Sequence, residues 1–195
     1  SIFSISSLAY KLAKESGIQF IYGFPNINYR LIQEKIERWK KVALFNALVK
    51  KPSQITSSLK FNWKKIDERD YKDLLELNKL FEKSELKYNG FLSGIDFWYK
   101  RYFYHPQNLY EIWKLDNNGL ILGFLVSKLF EVDGFTRLHI IDFQLSDEYS
   151  LIDFLPDIES KFSTVKEMVF WPFNIVISKS LKEYGFVEEG FDTYF

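Results

Sequence analysis

The sequence predicts an α/β chain in which strands and helices alternate and three consecutive strands pair antiparallel. Three observations carry this. From about residue 60 the segments read β, α, α, β, β, β, α, β, α, β. Asp116-Asn117-Asn118-Gly119 and Asp133-Gly134 have the composition of tight hairpin turns. Val165–Trp171 is a short β-branched and aromatic run ended by Pro172; Asn174 then caps a helix with apolar residues from Ile175 to Leu181, and Gly185 stops it.

In chain order, Ser4–Ser16 reads as a helix with Leu8, Leu12 and Ala13, beside Ala9, as its apolar stripe and Gly17 as its stop. Ile18–Tyr22 reads as a strand, Tyr29–Arg38 as a helix and Lys41–Lys50 as a strand. Pro52–Ser58 is polar and Ser-rich, the best linker in the sequence, and divides the chain into residues 1–58 and 59–195. Beyond it Phe61–Ile66 is a strand. Asp67 or Asp70 caps a helix to about Ser84 that buries Leu74, Leu75, Leu77, Leu80 and Phe81, and Ser93 caps a helix over Ile95–Phe103 that ends at His105-Pro106. Leu109–Leu115, Leu120–Glu131 and Thr136–Leu145 are the hairpin strands. A helix covers Ser150–Phe162, interrupted or started by Pro156, and Phe186–Phe195 is the last strand.

Composition narrows the function. The 195 residues hold 26 basic and 26 acidic side chains, so charge favours neither nucleic acid nor an anionic membrane as partner. Apolar residues at 47% and aromatics at 19% mark a folded chain with a sizeable core. Without Cys there is no disulfide, no Cys-ligated zinc and no thiol nucleophile. No apolar run approaches a membrane span, SIFSISS lacks the basic region of a signal peptide, and a cytoplasmic location is the default expectation.

The unit running from strand to Asn174, helix and Gly185-Phe186 resembles, in spacing, the C-terminal unit of GNAT-type N-acetyltransferases, and the element order from residue 60 is similar to theirs. The resemblance implies a mixed, largely antiparallel central sheet flanked by helices, acetyl-CoA as co-substrate, and a small-molecule or peptide amine as acceptor. The family's general-acid Tyr, seven residues after the Asn, corresponds to Leu181 here. Its pyrophosphate loop, Gln/Arg-x-x-Gly-x-Gly/Ala ahead of a helix, holds phosphate on backbone N–H groups and a helix N-terminus. Gln144 matches that loop, but Asp147 and Tyr149 stand at its Gly positions, so the second unit is expected not to bind CoA in the usual way.

QFIYGFPNI (19–27) and EMVFWPFNI (167–175) are alike: an apolar strand, an aromatic beside Pro, then Asn. Residues 1–58 are therefore expected to be the C-terminal half of a first GNAT-like unit, similar to FPN-motif and tandem-domain relatives. A half-sheet leaves an open edge, so its other strands are expected upstream of this sequence or from another chain. In this unit the resemblance puts Ser1, Ile2, Phe3 and Ser4 at the tail of the CoA loop, and Asn26 and Asn28 at the strand end facing the cofactor. Asn26 reads equally as a helix cap.

Asp142 is the candidate catalytic base, because the family places a carboxylate on that strand to take the amine's proton; Glu131 and Asp133 are alternatives, and a turn or cap role stands beside each. His105 and His139 read as structural or surface residues, with His139 on the opposite strand face from Asp142 by alternation. Asp153 and Asp157 share a helix face without a third ligand, so no metal site is expected. WYKRYFYHP (98–106) reads as helix packing rather than a surface for stacking nucleic-acid bases. These readings converge on an N-acyltransferase moving acetyl from acetyl-CoA to an amine, with any working CoA site in the first unit. The other reading is a non-catalytic GNAT-like binding or scaffold module, favoured by the absent Tyr and the altered loop. Transfer from an aminoacyl-tRNA is disfavoured by the neutral charge, and a homodimer stays open.

Overall fold

The computed structural model describes residues 2–18, 32–40, 46–53, 59–88, 94–117, 119–146, 150–172 and 175–189. The chain divides into two compact units, Ser1–Leu44 and Phe45–Thr193. In the first, helix α1 spans Ile2–Glu15, and beyond it Gly17 N donates to Lys14 O and Ile18 N to Ala13 O. Leu8 and Leu12, expected as a buried stripe, are exposed. The packed face of α1 is instead that of Tyr10, whose hydroxyl donates to Glu37 Oε2 and accepts from Trp39 Nε1. Residues 32–35 are helical, while the strand read over Ile18–Tyr22 lies, beyond Ile18, outside the described residues.

In the second unit β1 (Leu48–Lys50), β2 (Asn62–Ile66), β3 (Glu111–Asn117), β4 (Leu120–Val132), β5 (Phe135–Leu145), β6 (Glu167–Phe170) and β7 (Val187–Glu188) form one sheet in the order β2-β3-β4-β5-β6-β1-β7. β2 to β5 are antiparallel, β5 and β6 parallel, and β1 antiparallel to both its neighbours. Asp133 and Gly134 both take positive φ, as a type I′ hairpin turn requires. Helix α2 (Tyr71–Tyr88) and helix α3 (Ile95–Trp98, continued by a π-helical turn, Tyr99–Phe103) cover one face of the sheet through Leu74, Leu77, Trp98 and Tyr102. Helix α4 (Leu151–Lys161) and helix α5 (Ile175–Glu183) cover the other through Phe154, Leu155, Ile158 and Leu181.

Several expectations are corrected. Leu48–Lys50 was expected at the end of a first-unit strand; it lies between β6 and β7 of the second unit's sheet. Period-two patterning identifies a strand and is silent on which sheet receives it. Leu75 is exposed, because Leu74 and Leu77 take the buried stripe of α2 and their neighbour is turned about 100° away. Gly94 is the N-cap of α3, Ser93 lying outside the described residues. Pro156 neither starts nor interrupts α4 but sits inside it. The loss of its N–H costs about 3 kcal/mol, less than the burial of Phe154, Leu155 and Ile158 contributes at about 1.5–3 kcal/mol each.

Two features close the second core. Gly185, at φ +103°, ends α5, with Gly185 N donating to Lys182 O and Phe186 N to Leu181 O. The left-handed turn folds Phe186 back so that both it and Leu181 are buried in one cluster. Asp157 of α4, 3% exposed, gathers the start of β2: its carboxylate accepts from Lys60 N, Phe61 N and Trp63 Nε1 at 2.9–3.2 Å.

Candidate functional site

β5 and β6 stay paired from Arg137↔Glu167 to Ile140↔Phe170; β6 then ends while β5 runs on to Leu145. The strands part there around a cavity of about 70 Å³, lined among the described residues by Ile140, Ile141, Asp142, Phe143, Phe170, Trp171 and Ile177.

A bulge aims Asp142. Val126 pairs with Asp142 and Ser127 with Ile140, so Ile141 is the extra residue. Leu138, Ile140 and Phe143 pack in the core under α4 and α5. Ile141 packs toward α2 and α3, and Asp142 Oδ2 accepts from the hydroxyl of Tyr102 on α3 at 2.8 Å. Two consecutive side chains thus face one way. His139 and Asp142 share a face, contrary to the alternation expected of an unbroken strand.

Tyr102 owes its place to the π-helical turn, closed by Tyr104 N donating to Tyr99 O at 2.8 Å. One extra residue in the turn rotates the side chains after it, and such turns recur at functional sites. Phe97, Trp98 and Tyr110 hold the Tyr102 ring at centroid distances of 5.9, 5.7 and 5.5 Å, and Trp98 Nε1 donates to Asn78 Oδ1. Burial raises the Asp142 pKa, opposed by the Tyr102 hydroxyl, the Phe143 N–H and Arg101. Burial, and then the Asp142 charge, raise that of Tyr102, which keeps its proton. Tyr102 carried no signal as a single residue; only its spacing of four from Trp98 marked it for the buried face of a helix.

His139 lies buried against the Phe130 ring, and burial, followed by Arg137 and Lys128, pushes its pKa down to about 4, with Glu189 opposing. The unfolded chain therefore binds a proton near pH 6.5 that the folded chain refuses until about 4. Stability should fall as pH drops through that window, by roughly 3 kcal/mol. Chemical denaturation of His139→Gln at pH 7 and pH 4.5 checks this: the wild type should lose more stability than the variant.

The remaining candidates are dispersed. Ile2, Phe3 and Ser4 form the first turn of α1, while Ser1, Asn26 and Asn28 lie outside the described residues. Glu131 accepts from Thr136 Oγ1 near the hairpin tip and Asp133 forms the turn itself, so neither lines the cavity. His105 Nδ1 accepts from Gln107 N and Asn108 N, a turn-forming role. No metal-holding cluster occurs among the described residues. At the start of α4 a capping box is complete: Ser150 N and Ser150 Oγ both donate to Asp153 Oδ2, at 2.9 and 2.8 Å, and hold that carboxyl below its usual range. The amide of Gln144 is turned back onto Leu145 O.

No family model matches the chain, and no curated protein does. Solved structures match in fold. A GCN5-related N-acetyltransferase from Anabaena variabilis superposes with a TM-score of 0.56 and 9% identity over 75% of this chain and 38% of that one. A functionally unknown conserved protein from Staphylococcus epidermidis gives 0.53 and 12% identity over 85% of this chain and 66% of that one. The chain spans less than two thirds of either structure. The mixed, mostly antiparallel sheet flanked by helices is thus a fold shared with a solved GCN5-related N-acetyltransferase.

Proposed function

We propose that the chain is an N-acyltransferase that moves an acetyl group from acetyl-CoA to an amine, and that Phe45–Thr193 receives the amine. The observation that carries this reading is Asp142, a residue lining the cavity where β5 and β6 part, whose buried carboxyl of raised pKa is held by Tyr102. An amine arrives at neutral pH as an ammonium and must lose a proton before its nitrogen can attack. A carboxylate at the wall accepts that proton, and burial makes it a stronger base than an exposed one.

Acetyl-CoA is the donor of this class, and the residues at α4 do not fit its pyrophosphate. The Asp153 carboxylate already accepts from Ser150 N and Ser150 Oγ at the helix start, and the sequence puts Asp147 and Glu148 just before the helix. An anion there meets negative charge. This supports a reading in which the donor is gripped outside the second unit, for which Ser1, Ile2, Phe3, Ser4, Asn26 and Asn28 are the sequence candidates.

Calorimetric titration with acetyl-CoA tests the proposal. We expect a Kd in the roughly micromolar-to-millimolar range common for substrates, unchanged within about twofold by Asp153→Ala, since that helix start takes no part. Tighter binding by the variant would place the pyrophosphate at α4 instead. No binding at all would favour the second reading, a non-catalytic binding or scaffold module. Leu181 speaks for that reading: the position of the family's general acid is 0% exposed and belongs to the core.

A further inference from the structure

Among the described residues β6 and β7 do not pair with each other; β1 alone bridges them. Leu48, Val49 and Lys50 stand opposite Phe170, Val169 and Met168 of β6, and Leu48 and Val49 opposite Glu188 and Val187 of β7. Glu189 N extends the ladder to Ala47 O at 3.0 Å. The side chains read the inserted strand at two depths. Leu48, 1% exposed, enters the core that also holds Phe170 and Phe186. Lys50 reaches across α4 and pairs with Glu159, a carboxylate only 4% exposed, and its Nζ lies 5.1 Å over the Tyr184 ring. Ser53 N donates to the second oxygen of Glu159 at 3.2 Å.

We propose that the groove between β6 and β7 is a strand-binding site. Its ligand class is an extended peptide with an apolar residue at the position of Leu48 and a basic one at that of Lys50. The chain's own residues 46–53 fill it here, and the same strand offered as a separate molecule competes for it. The ladder supplies affinity for any extended backbone, while the two side-chain positions supply selectivity. Glu159 is the strict element, because a buried carboxylate left without its ammonium is strongly unfavourable. The site adjoins the cavity through Phe170, which stands opposite Leu48, but touches neither Asp142 nor the start of α4.

The test uses the full chain carrying Leu48→Ala, which weakens the tethered strand while keeping its backbone. Thermal unfolding is followed with a synthetic peptide of residues 46–53. A short tether gives the resident strand an effective concentration on the order of millimolar, so about 1 mM peptide competes once that strand is weakened. The expected result is a lowered Tm that the peptide raises in proportion to the logarithm of its concentration. A peptide carrying Lys50→Glu should have no effect on this host, and should become the effective one when the host also carries Glu159→Lys. A Tm indifferent to the wild-type peptide, or an equal rise with both peptides, would overturn the proposal. Should Leu48→Ala fail to fold, Lys50→Ala serves as host with the same readout.

Discussion

Asp157→Ala is expected to destabilise the chain by about 3–5 kcal/mol, the cost of leaving buried donors without their acceptor. That corresponds to a drop in Tm of roughly 10 °C for a chain of this size. The carboxylate stands where α4 crosses the beginning of β2 and answers two backbone N–H groups and an indole N–H at once. Alanine leaves all three without that acceptor, the buried Phe61 N–H beside an apolar cluster that includes Phe154 and Phe162. Asp153→Ala on the same helix is the control: it removes an exposed capping box and should cost about 1 kcal/mol. Urea unfolding checks both. The midpoint of Asp157→Ala should fall steeply with the slope m unchanged, and a loss no larger than the control's would mean that water replaces the carboxylate.

Asp142→Asn is expected to lower acetyl transfer to an amine by about 10²–10⁴-fold, the usual contribution of a general base, without weakening acetyl-CoA binding. The same change should stabilise the protein at neutral pH. Burial places the folded pKa of Asp142 above its unfolded value of about 3.9. Folding therefore favours the protonated carboxyl. The favourable contribution is fully present below about pH 3.9 and is lost as pH rises through the folded value. Asparagine, neutral at every pH, escapes that loss. The difference in Tm between variant and wild type should then grow as pH rises, the reverse of the direction assigned to His139. A constant difference from pH 4 to pH 8 would show that folding does not raise the Asp142 pKa. A gain in stability coupled to a loss of activity is the trade-off expected of a residue kept for chemistry.

Much of the fold was legible because its signals are local. Asp133-Gly134 specified a hairpin on its own, and Gly185 marked the end of α5 together with the return of Phe186 into the core. The site was legible in part. Asp142 stood out as a carboxylate on β5, but the residues that surround it did not. The extra residue at Ile141 breaks alternation in one place, too short a disturbance for periodicity to register, so His139 was assigned to the wrong face. The π-helical turn has the same character: Tyr99–Phe103 keeps helical spacing closely enough that nothing in the letters separates an α turn from a π turn. Asp157 and Glu159 were invisible as anchors because their partners lie 96 and 106 residues away at Phe61 and Ser53. Destination is likewise the part that the letters withheld for β1.

The position of β1 also governs the order of events as the chain is made. Asn46 and Glu188, joined across the sheet, are 142 residues apart. At roughly 5–20 residues per second, a ribosome needs on the order of ten seconds or more to deliver the partner of a strand it has already released. For that interval Leu48 and Val49 leave the tunnel with neither neighbour in place, while the β3–β4–β5 meander, closed by tight turns, can pair as soon as it emerges. The sheet is therefore assembled from its middle outward, and its newest and oldest residues meet last. Synonymous codon changes that slow translation between β5 and β7 would prolong the exposure of that first strand, and chaperone capture of nascent chains at that stage is where the cost would be seen.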